Sequence, residues 1–208
     1  MIVILLSVFL VLSALVHLDM FTGFDVRVTM LLQQMIPRSI DVFLSFFSLI
    51  LSSEVTALIL ILISVFVFLK KKKVFFGLGA IILVYIVELI GKILIVHPGP
   101  QEEFFRYSIP FWFPSAYIHT LGSFPSGHVS RAFFFAIIIY FLSKKFNLSA
   151  VKQKMIAVAC GLFAIIMVIS RIYLGEHWFS DTFGGMFLGS SMGLLAIKFY
   201  DFELKKLK

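Results

Sequence analysis

The sequence predicts an all-α protein that crosses a membrane six times, and three observations carry this prediction. Hydrophobic residues make up 61% of the 208 residues, and charged residues make up only 14%, whereas soluble domains carry about 25% charged residues. The mean hydropathy is +1.06. The apolar residues form runs close to the roughly 20 residues that a membrane-spanning helix needs, with polar segments between them. This composition excludes a soluble globular protein.

The first half of the chain is predicted to contain two spans and one surface helix. The first apolar run starts directly after the initiator methionine without the basic residues of a secretory signal, so residues 2–18 are expected to be a retained span. Residues 20–41 mix charged and apolar residues at roughly helical spacing, which is typical of an amphipathic helix in the membrane interface. Residues 42–69 are too long for one untilted span, and the second span is predicted at 48–69.

The third span is predicted at 74–96. Glu88 and Lys92 lie four residues apart within it, hence on one face of a helix, where they can form an ion pair inside the bundle. Pro98 ends the helix because proline lacks the backbone donor and clashes with the preceding turn. The long loop up to residue 124 is rich in aromatic residues, which predicts a position at the depth of the lipid headgroups.

The remaining spans are predicted at 128–142, 155–172 and 179–199. The last of them contains four glycines at spacings that allow close packing against another helix: Gly184, Gly185, Gly189 and Gly193. Nothing in the sequence separates these runs into repeats or units. A single domain over residues 1–208 is therefore expected.

The basic residues predict the orientation in a cell membrane. Most of the 18 lysine and arginine residues follow the second span at 70–73, follow the fourth span at 144–154, or lie at the C-terminal end from residue 198. The positive-inside rule makes these segments cytoplasmic. Both termini are then cytoplasmic, and the opposite, outward-facing side carries the residues singled out below.

Charge and cysteine usage exclude other classes. The net charge of +7 comes from short clusters between apolar runs rather than from one soluble basic face, so no nucleic-acid partner is predicted. Cys160 is the single cysteine, which excludes an intramolecular disulfide. Its apolar surroundings indicate a packing residue.

Seven residues at the ends of the apolar runs form a candidate site: Lys92, Ser126, Gly127, His128, Arg171, His177 and Asp181. Transfer of a phosphoryl group needs cationic and neutral donors around its oxygens, a nucleophile, and an acid for the leaving oxygen. The lysine and the arginine supply charge, and an amide at a helix N-terminus favours an anion. One histidine can attack phosphorus while the other protonates the departing alkoxide. The aspartate lies one helical turn after His177 and can orient its imidazole.

Two stretches of this site resemble signatures of the type 2 phosphatidic acid phosphatase family. Ser170 and Arg171, then five residues, His177, three residues and Asp181 are similar to its third signature, SRxxxxxHxxxD, and residues 125–128 match its second, PSGH. The resemblance implies a six-helix, metal-independent membrane phosphatase that acts on lipid phosphates through a phosphohistidine. It also implies that His177 is the nucleophile, Asp181 its orienting carboxylate and His128 the general acid. The residues expected to hold the phosphate are Lys92, Ser126, Gly127 and Arg171.

The first signature of that family, KxxxxxxRP, is incomplete in this chain. Counted from Lys92, glycine stands at position 99, where the family has arginine. His97, Arg106 or Arg131 could replace the missing cation, or the site could use one cation fewer. We favour Arg131, because it lies three residues after His128 and so on the same helical face.

Alternative interpretations stay open at this point. His128, His177 and Asp181 are residue types that bind metals, but Lys92 and Arg171 would repel a cation, and neither metal nor cofactor is expected. A phosphotransferase could share the phosphohistidine. A non-catalytic carrier could bind phospholipids at a degenerate site.

The expected partners are a lipid phosphate substrate and the surrounding membrane lipids. An isoprenoid diphosphate is the first expectation, because the basic residues and the long loop suit a larger phosphate group, and phosphatidylglycerophosphate or phosphatidic acid follows. The sequence carries no signal for oligomeric state.

Overall fold

The computed structural model describes residues 1–69, 79–109 and 122–206. Two features used above lie outside these ranges: the lysine run at residues 70–73 and the most aromatic part of the long loop, residues 110–121. The start of the third predicted span, residues 74–78, lies outside them as well.

Within the described ranges the chain is helical and contains no strand. The described residues form eight α-helices: α1 (Ile2–His17), α2 (Thr22–Met35), α3 (Asp41–Leu49), α4 (Ser53–Leu69), α5 (Ala80–Leu94), α6 (Gly127–Lys145), α7 (Ala150–Tyr173) and α8 (Phe179–Lys206). Short 3₁₀ turns lie at Arg38–Ile40 and Glu102–Phe104. The prediction of an all-α membrane protein is confirmed.

Length and composition identify the helices able to cross a membrane. Among the described residues, α7 and α8 are each long and apolar enough, and the number rises to four if α1 with α2 and α3 with α4 each cross as one bent unit. The bend between α1 and α2 is 98°, and the bend between α3 and α4 is 42°. The six-span topology remains the prediction from the apolar runs.

The segment predicted as an amphipathic surface helix forms α2, but its polar residues are not all on the surface. Asp25 is 1% exposed and Thr29 is fully buried, and α2 packs against α7 and α8. The physical reason is a specific partner: the Ser180 backbone N–H and hydroxyl both donate to the Asp25 carboxylate, at 2.8 and 2.7 Å. Buried charges persist in proteins where such partners exist.

The second predicted span, 48–69, is broken near its start. Its first two residues, Ser48 and Leu49, end α3, and α4 begins at Ser53. The Ser52 hydroxyl accepts a hydrogen bond from the Val55 N–H at 3.3 Å, at the first turn of α4. Serine hydroxyls compete for backbone groups in this way at helix ends. The break places several serine hydroxyls beside the cavity described below.

Among the described helices the most extensive packing joins α6 to α8, and it supplies the close helix contact that the glycines of the last span predict without naming the partner. A Cβ atom at Gly185 would lie 2.6 Å from the Ser126 carbonyl oxygen, and one at Gly189 would collide with the Ser130 backbone. The Ser126 N–H donates to the Asp181 carbonyl oxygen at 2.9 Å. The packing therefore holds the start of α6 against the start of α8.

Candidate active site

The starts of α6 and α8, the end of α7 and the last turns of α5 surround one polar cavity of about 170 Å³. Six of the eight residues singled out from the sequence line it: Lys92, Gly127, His128, Arg131, Arg171 and His177. The other two, Ser126 and Asp181, are fully buried behind the cavity wall. Residues far apart in the chain thus form one site.

A tight turn between α7 and α8 presents His177. Helix α7 ends at Tyr173, and Gly175 adopts φ +68°, a left-handed conformation that favours glycine because it lacks Cβ. A side chain at Gly175 would also meet the Phe104 carbonyl group. The turn brings the chain back into α8 and points residue 177 into the cavity.

Asp181 orients the His177 imidazole. Its Oδ2 atom lies 3.3 Å from His177 Nδ1 and accepts the Trp178 N–H at 3.0 Å. Because an ionised carboxylate only accepts hydrogen bonds, this contact assigns the imidazole proton to Nδ1. The Nε2 lone pair is then free to attack an electrophile.

The surroundings of His177 keep it neutral. Burial is the largest cause that lowers the pKa of its imidazole well below the ordinary value of 6.5, and the positive charges of Arg171 and Lys92 lower this pKa further. A neutral imidazole is the nucleophilic form. His177 therefore has the protonation state that attack at phosphorus requires.

The cations of the cavity are paired with two carboxylates. Lys92 Nζ donates to Glu88 Oε1 at 2.8 Å, which confirms the predicted i,i+4 pair, and Arg131 Nη1 donates to Glu88 Oε2 at 2.9 Å. Arg171 Nη1 lies 2.5 Å from Glu176 Oε2. The cavity thus holds a lysine and two arginines against two carboxylates, which leaves an excess of positive charge for an anion.

The three residues that could replace the arginine missing from the first signature lie in different places. Arg131 lines the cavity and is fixed by donation from its Nε to the Leu51 carbonyl oxygen at 2.8 Å. Arg106 Nη1 instead donates to the Tyr173 hydroxyl at 3.1 Å, and His97 lies on the far side of Asp181. Among the described residues, a Cβ at Gly99 would contact the Ser123 Cβ at 3.6 Å. The placement favours Arg131, whose contact with phosphate remains a prediction.

The backbone of Ser126 makes hydrogen bonds to other residues, whereas its hydroxyl makes none within the described part of the chain. Its N–H donates to the Asp181 carbonyl oxygen, and its carbonyl oxygen accepts the Ser130 hydroxyl at 2.9 Å. Its Oγ atom is buried without a hydrogen-bond partner. Ser126 therefore links the start of α6 to the start of α8. The predicted contact of its hydroxyl with phosphate requires that Oγ be accessible from the cavity.

Sequence reasoning missed two groups in the cavity wall. Glu176 immediately precedes His177, and burial raises the pKa of its carboxyl. The Ser48 hydroxyl donates to Glu176 Oε2 at 3.1 Å and also hydrogen-bonds Arg171 Nη1. The available signal was the spacing of Ser45, Ser48 and Ser52 in an apolar run, which places three hydroxyls on one side of that run.

The charge pattern bears on metal binding. In the part of the chain that the structure describes, no three histidine, cysteine or carboxylate side chains come together as metal ligands. Arg171 and Lys92 are the charged groups that act most strongly on the pKa of the His177 imidazole, and both lower it. The arrangement suits an anion with several oxygens.

Comparison with known proteins gives a family match. The model of the PAP2 superfamily matches residues 72–205, a stretch that contains all eight candidate residues. Phosphatidylglycerophosphatase B of Bacillus subtilis is 37% identical over 87 residues, which is 41% of this chain and 42% of that protein. A probable lipid phosphate phosphatase beta of Arabidopsis thaliana is 34% identical over 100 residues, 39% of this chain and 46% of that protein. The chain thus spans less than half the length of these curated relatives.

Two solved structures share the fold. A transmembrane PAP2-type phosphatidylglycerolphosphate phosphatase from Bacillus subtilis superposes with a TM-score of 0.79 at 23% identity, covering 100% of this chain and 98% of that one. Aquifex aeolicus LpxE superposes with a TM-score of 0.60 at 27% identity, covering 84% and 95%. The helical arrangement is therefore that of known membrane phosphatases.

Proposed function

Since the chain belongs to the PAP2 superfamily, we propose that it is an integral membrane phosphatase that hydrolyses a lipid phosphate through a phosphohistidine on His177. One observation carries the proposal. His177, held by Asp181 at 3.3 Å, shares a single cavity with His128 and with Lys92, Arg131 and Arg171. Nucleophile, acid and anion-binding groups thus meet at one place.

The first step forms the covalent intermediate. His177 Nε2 attacks phosphorus, and the bond between phosphorus and the lipid oxygen breaks while His128, whose protonated form the negative charge of the bound phosphate group stabilises, donates a proton to that oxygen. The Asp181 carboxylate accepts the Nδ1–H and stabilises the positive charge that develops on the imidazole. The cations of the cavity stabilise the charge on the phosphoryl oxygens.

The second step releases phosphate. His128, now neutral, takes a proton from a water molecule, and the resulting hydroxide attacks phosphorus and breaks its bond to His177 Nε2. Inorganic phosphate leaves, and both histidines return to their starting protonation states. A water molecule and a lipid phosphate are consumed, and a lipid alcohol and phosphate are formed.

The helix directions support an outward-facing site. Helix α6 runs from the cavity at Gly127 to Lys145 over 19 residues, about 28 Å at the usual helical rise. Lys144 and Lys145 therefore lie at the opposite end of the bundle from His128, at the end that the positive-inside rule makes cytoplasmic. Helix α8 runs in the same sense from the site toward the C-terminus, which supports a cytoplasmic C-terminus in this proposal.

The first substrate to test is phosphatidylglycerophosphate, because one relative carries that activity in its name. Phosphatidic acid and an isoprenoid diphosphate complete the panel. We propose that such amphiphiles approach beside the break between α3 and α4, because Ser52 and Ser53 of that break line the cavity.

The experiment is phosphate release by the purified full chain in detergent with EDTA. We expect the parent and His17→Ala, which alters an exposed histidine at the end of α1, to release phosphate, and His177→Ala to be inactive. Phosphate release by His177→Ala at the parent rate would overturn the proposed mechanism. Loss of the parent's activity in EDTA would replace it with a metal-dependent one.

A further inference from the structure

A cluster of buried polar groups lies behind Asp181, on the side away from the cavity. From its geometry we infer that His97 and Asp25 are positioning residues, which hold the Asp181 carboxylate in the orientation that His177 needs. This inference rests on the proposed function and deepens it, because neither residue touches the substrate.

Asp181 lies between two imidazoles. Its Oδ2 atom is 3.3 Å from His177 Nδ1, and its Oδ1 atom is 3.5 Å from His97 Nε2. A carboxylate with a partner at only one oxygen can rotate about its bond to Cβ, because that torsion is soft. Among the described residues Asp181 Oδ1 accepts no hydrogen bond, so the His97 imidazole restricts this rotation by occupying the space beside Oδ1 and by electrostatic attraction at 3.5 Å, and it thereby favours the direction in which Oδ2 meets the nucleophile.

Asp25 extends the cluster from another helix. Its Oδ2 atom lies 3.7 Å from His97 Nε2, and Ser180 donates to both of its oxygens from N–H and Oγ. The Ser180 hydroxyl is also 3.2 Å from His97 Nε2. His97 Nε2 therefore hydrogen-bonds the Ser180 hydroxyl, while the carboxylates of Asp25 and Asp181 flank the same nitrogen at 3.7 and 3.5 Å.

The backbone around His97 is fixed independently of its side chain. Its carbonyl oxygen accepts both the N–H and the hydroxyl of Ser123, at 2.8 and 3.0 Å. The next residue, Pro98, accepts the Trp178 indole N–H at 2.8 Å. An imidazole held on so rigid a backbone can serve as a fixed support for a neighbouring carboxylate.

Asp25 lies outside residues 72–205, the stretch that the family model matches. It belongs to α2, which reaches the site only because the chain bends by 98° after α1. Asp25 is 1% exposed and His97 is 4% exposed. A carboxylate buried so completely is costly unless it has partners, and the partners of Asp25 are Ser180 at the start of α8 and the His97 imidazole, both of which lie beside Asp181.

Loss of the His97 contact should affect the rate of catalysis and the binding of substrate differently. The anion-binding groups Lys92, Arg131 and Arg171 line the cavity on the other side of His177, so loss of the His97 contact should leave substrate binding almost unchanged. The misaligned nucleophile should slow formation of the phosphohistidine instead. Small errors in the position of a reacting group cost up to about 100-fold in rate.

The experiment measures kcat and KM for phosphate release by the full chain in detergent. For His97→Ala and Asp25→Asn we expect kcat to fall about 10- to 100-fold while KM changes by less than about twofold. His97→Gln should regain a large part of kcat, since its amide N–H can donate toward Asp181 in place of Nε2–H. Asp41→Asn is the matched control: it alters a buried carboxylate that hydrogen-bonds the Tyr173 hydroxyl, away from Asp181.

Three outcomes overturn the inference. One is a kcat for His97→Ala equal to that of the parent, and another is an equal loss in His97→Gln and His97→Ala. The third is a fall for Asp25→Asn no larger than that for Asp41→Asn, which would indicate a general effect on folding. The parent and His177→Ala test the proposed function separately. If they release phosphate alike, the mechanism and this inference fail together, whereas an inactive His177→Ala beside unaffected His97 and Asp25 variants overturns this inference alone.

Discussion

The Nδ1 atom of His177 lies 3.3 Å from the Oδ2 atom of Asp181, four residues further along the chain and inside the first turn of α8. The same Oδ2 atom accepts the Trp178 N–H at 3.0 Å. The start of α8 therefore fixes both the carboxylate and the imidazole that it orients. The first prediction follows from this contact.

Replacing Asp181 by asparagine should leave the fold intact but offer the imidazole the wrong partner. The amide can present an N–H to Nδ1 and favour the tautomer whose Nε2 carries the proton, which blocks attack. We expect kcat to fall by about 100-fold or more with little change in KM. Steady-state phosphate release checks this, and a kcat within a few-fold of the parent would show that Asp181 does not orient the nucleophile.

The pH dependence of kcat/KM should reflect the lowered pKa of the His177 imidazole. Burial, and then Arg171 and Lys92, lower the pKa of this imidazole, and protonation of the free enzyme at Nε2 removes the nucleophile. Because the pKa is lowered, the active form persists as the pH falls through 6.5, and the acidic limb of kcat/KM should lie below 6.5. If the acidic limb is assigned to His177 and gives a pKa at or above the ordinary 6.5, this result would contradict the surroundings described for His177. Titration of the His177 signal by NMR provides that assignment.

Arg131 is expected to supply the cation that the first signature lacks. Arg131→Ala should lower kcat/KM by about 100-fold or more, the usual loss for one donor to a transition-state oxyanion. Arg106→Ala removes an arginine that contacts Tyr173 instead and should change kcat/KM only slightly. Equal small effects of the two substitutions would contradict the role of Arg131.

A second comparison separates phosphate binding from ion pairing at Arg131. Arg131→Ala leaves Glu88 with Lys92 as its remaining partner at 2.8 Å. If the loss comes only from the unbalanced carboxylate, adding Glu88→Gln should restore activity. We expect no restoration, because the missing group is a donor to phosphate.

The α6–α8 contact should tolerate no side chain at Gly185. A Cβ there would lie 2.6 Å from the Ser126 carbonyl oxygen, so Gly185→Ala must push the two helices apart, at a cost of about 1 to 3 kcal/mol in the free energy of unfolding. Gly161→Ala in α7 is the control, since its Cβ would meet nothing within 4 Å and alanine favours the helix. Thermal unfolding in detergent compares them, and equal melting temperatures would refute the close packing.

The sequence predicted the parts of the site that depend on local geometry. His177 with Asp181, and Glu88 with Lys92, are four residues apart, and helical periodicity alone places such pairs in contact. The glycines of the last span predicted close packing against another helix for a similar reason, but not that the partner is α6. The residues of both signatures lie at or directly behind one cavity, and their catalytic roles stay predictions.

The remaining contacts depend on tertiary packing and could not be read from spacing. Asp25 meets Ser180 across 155 positions in the chain, and nothing local distinguishes it from a carboxylate of a surface helix. The inward direction of the Ser48 hydroxyl depends on the break between α3 and α4. The buried Ser126 hydroxyl likewise follows from the packing of α6 on α8 rather than from its signature.

The central claim is a covalent phosphate on His177, and the most direct measurement is mapping of that phosphate. The parent chain is mixed with its lipid substrate, quenched in alkali, which preserves phosphohistidine, and analysed by peptide mass spectrometry. The account predicts phosphate on the peptide that contains His177 and none in His177→Ala. Phosphate release by the parent with no phosphorylated histidine, or with phosphate on another residue, would contradict it.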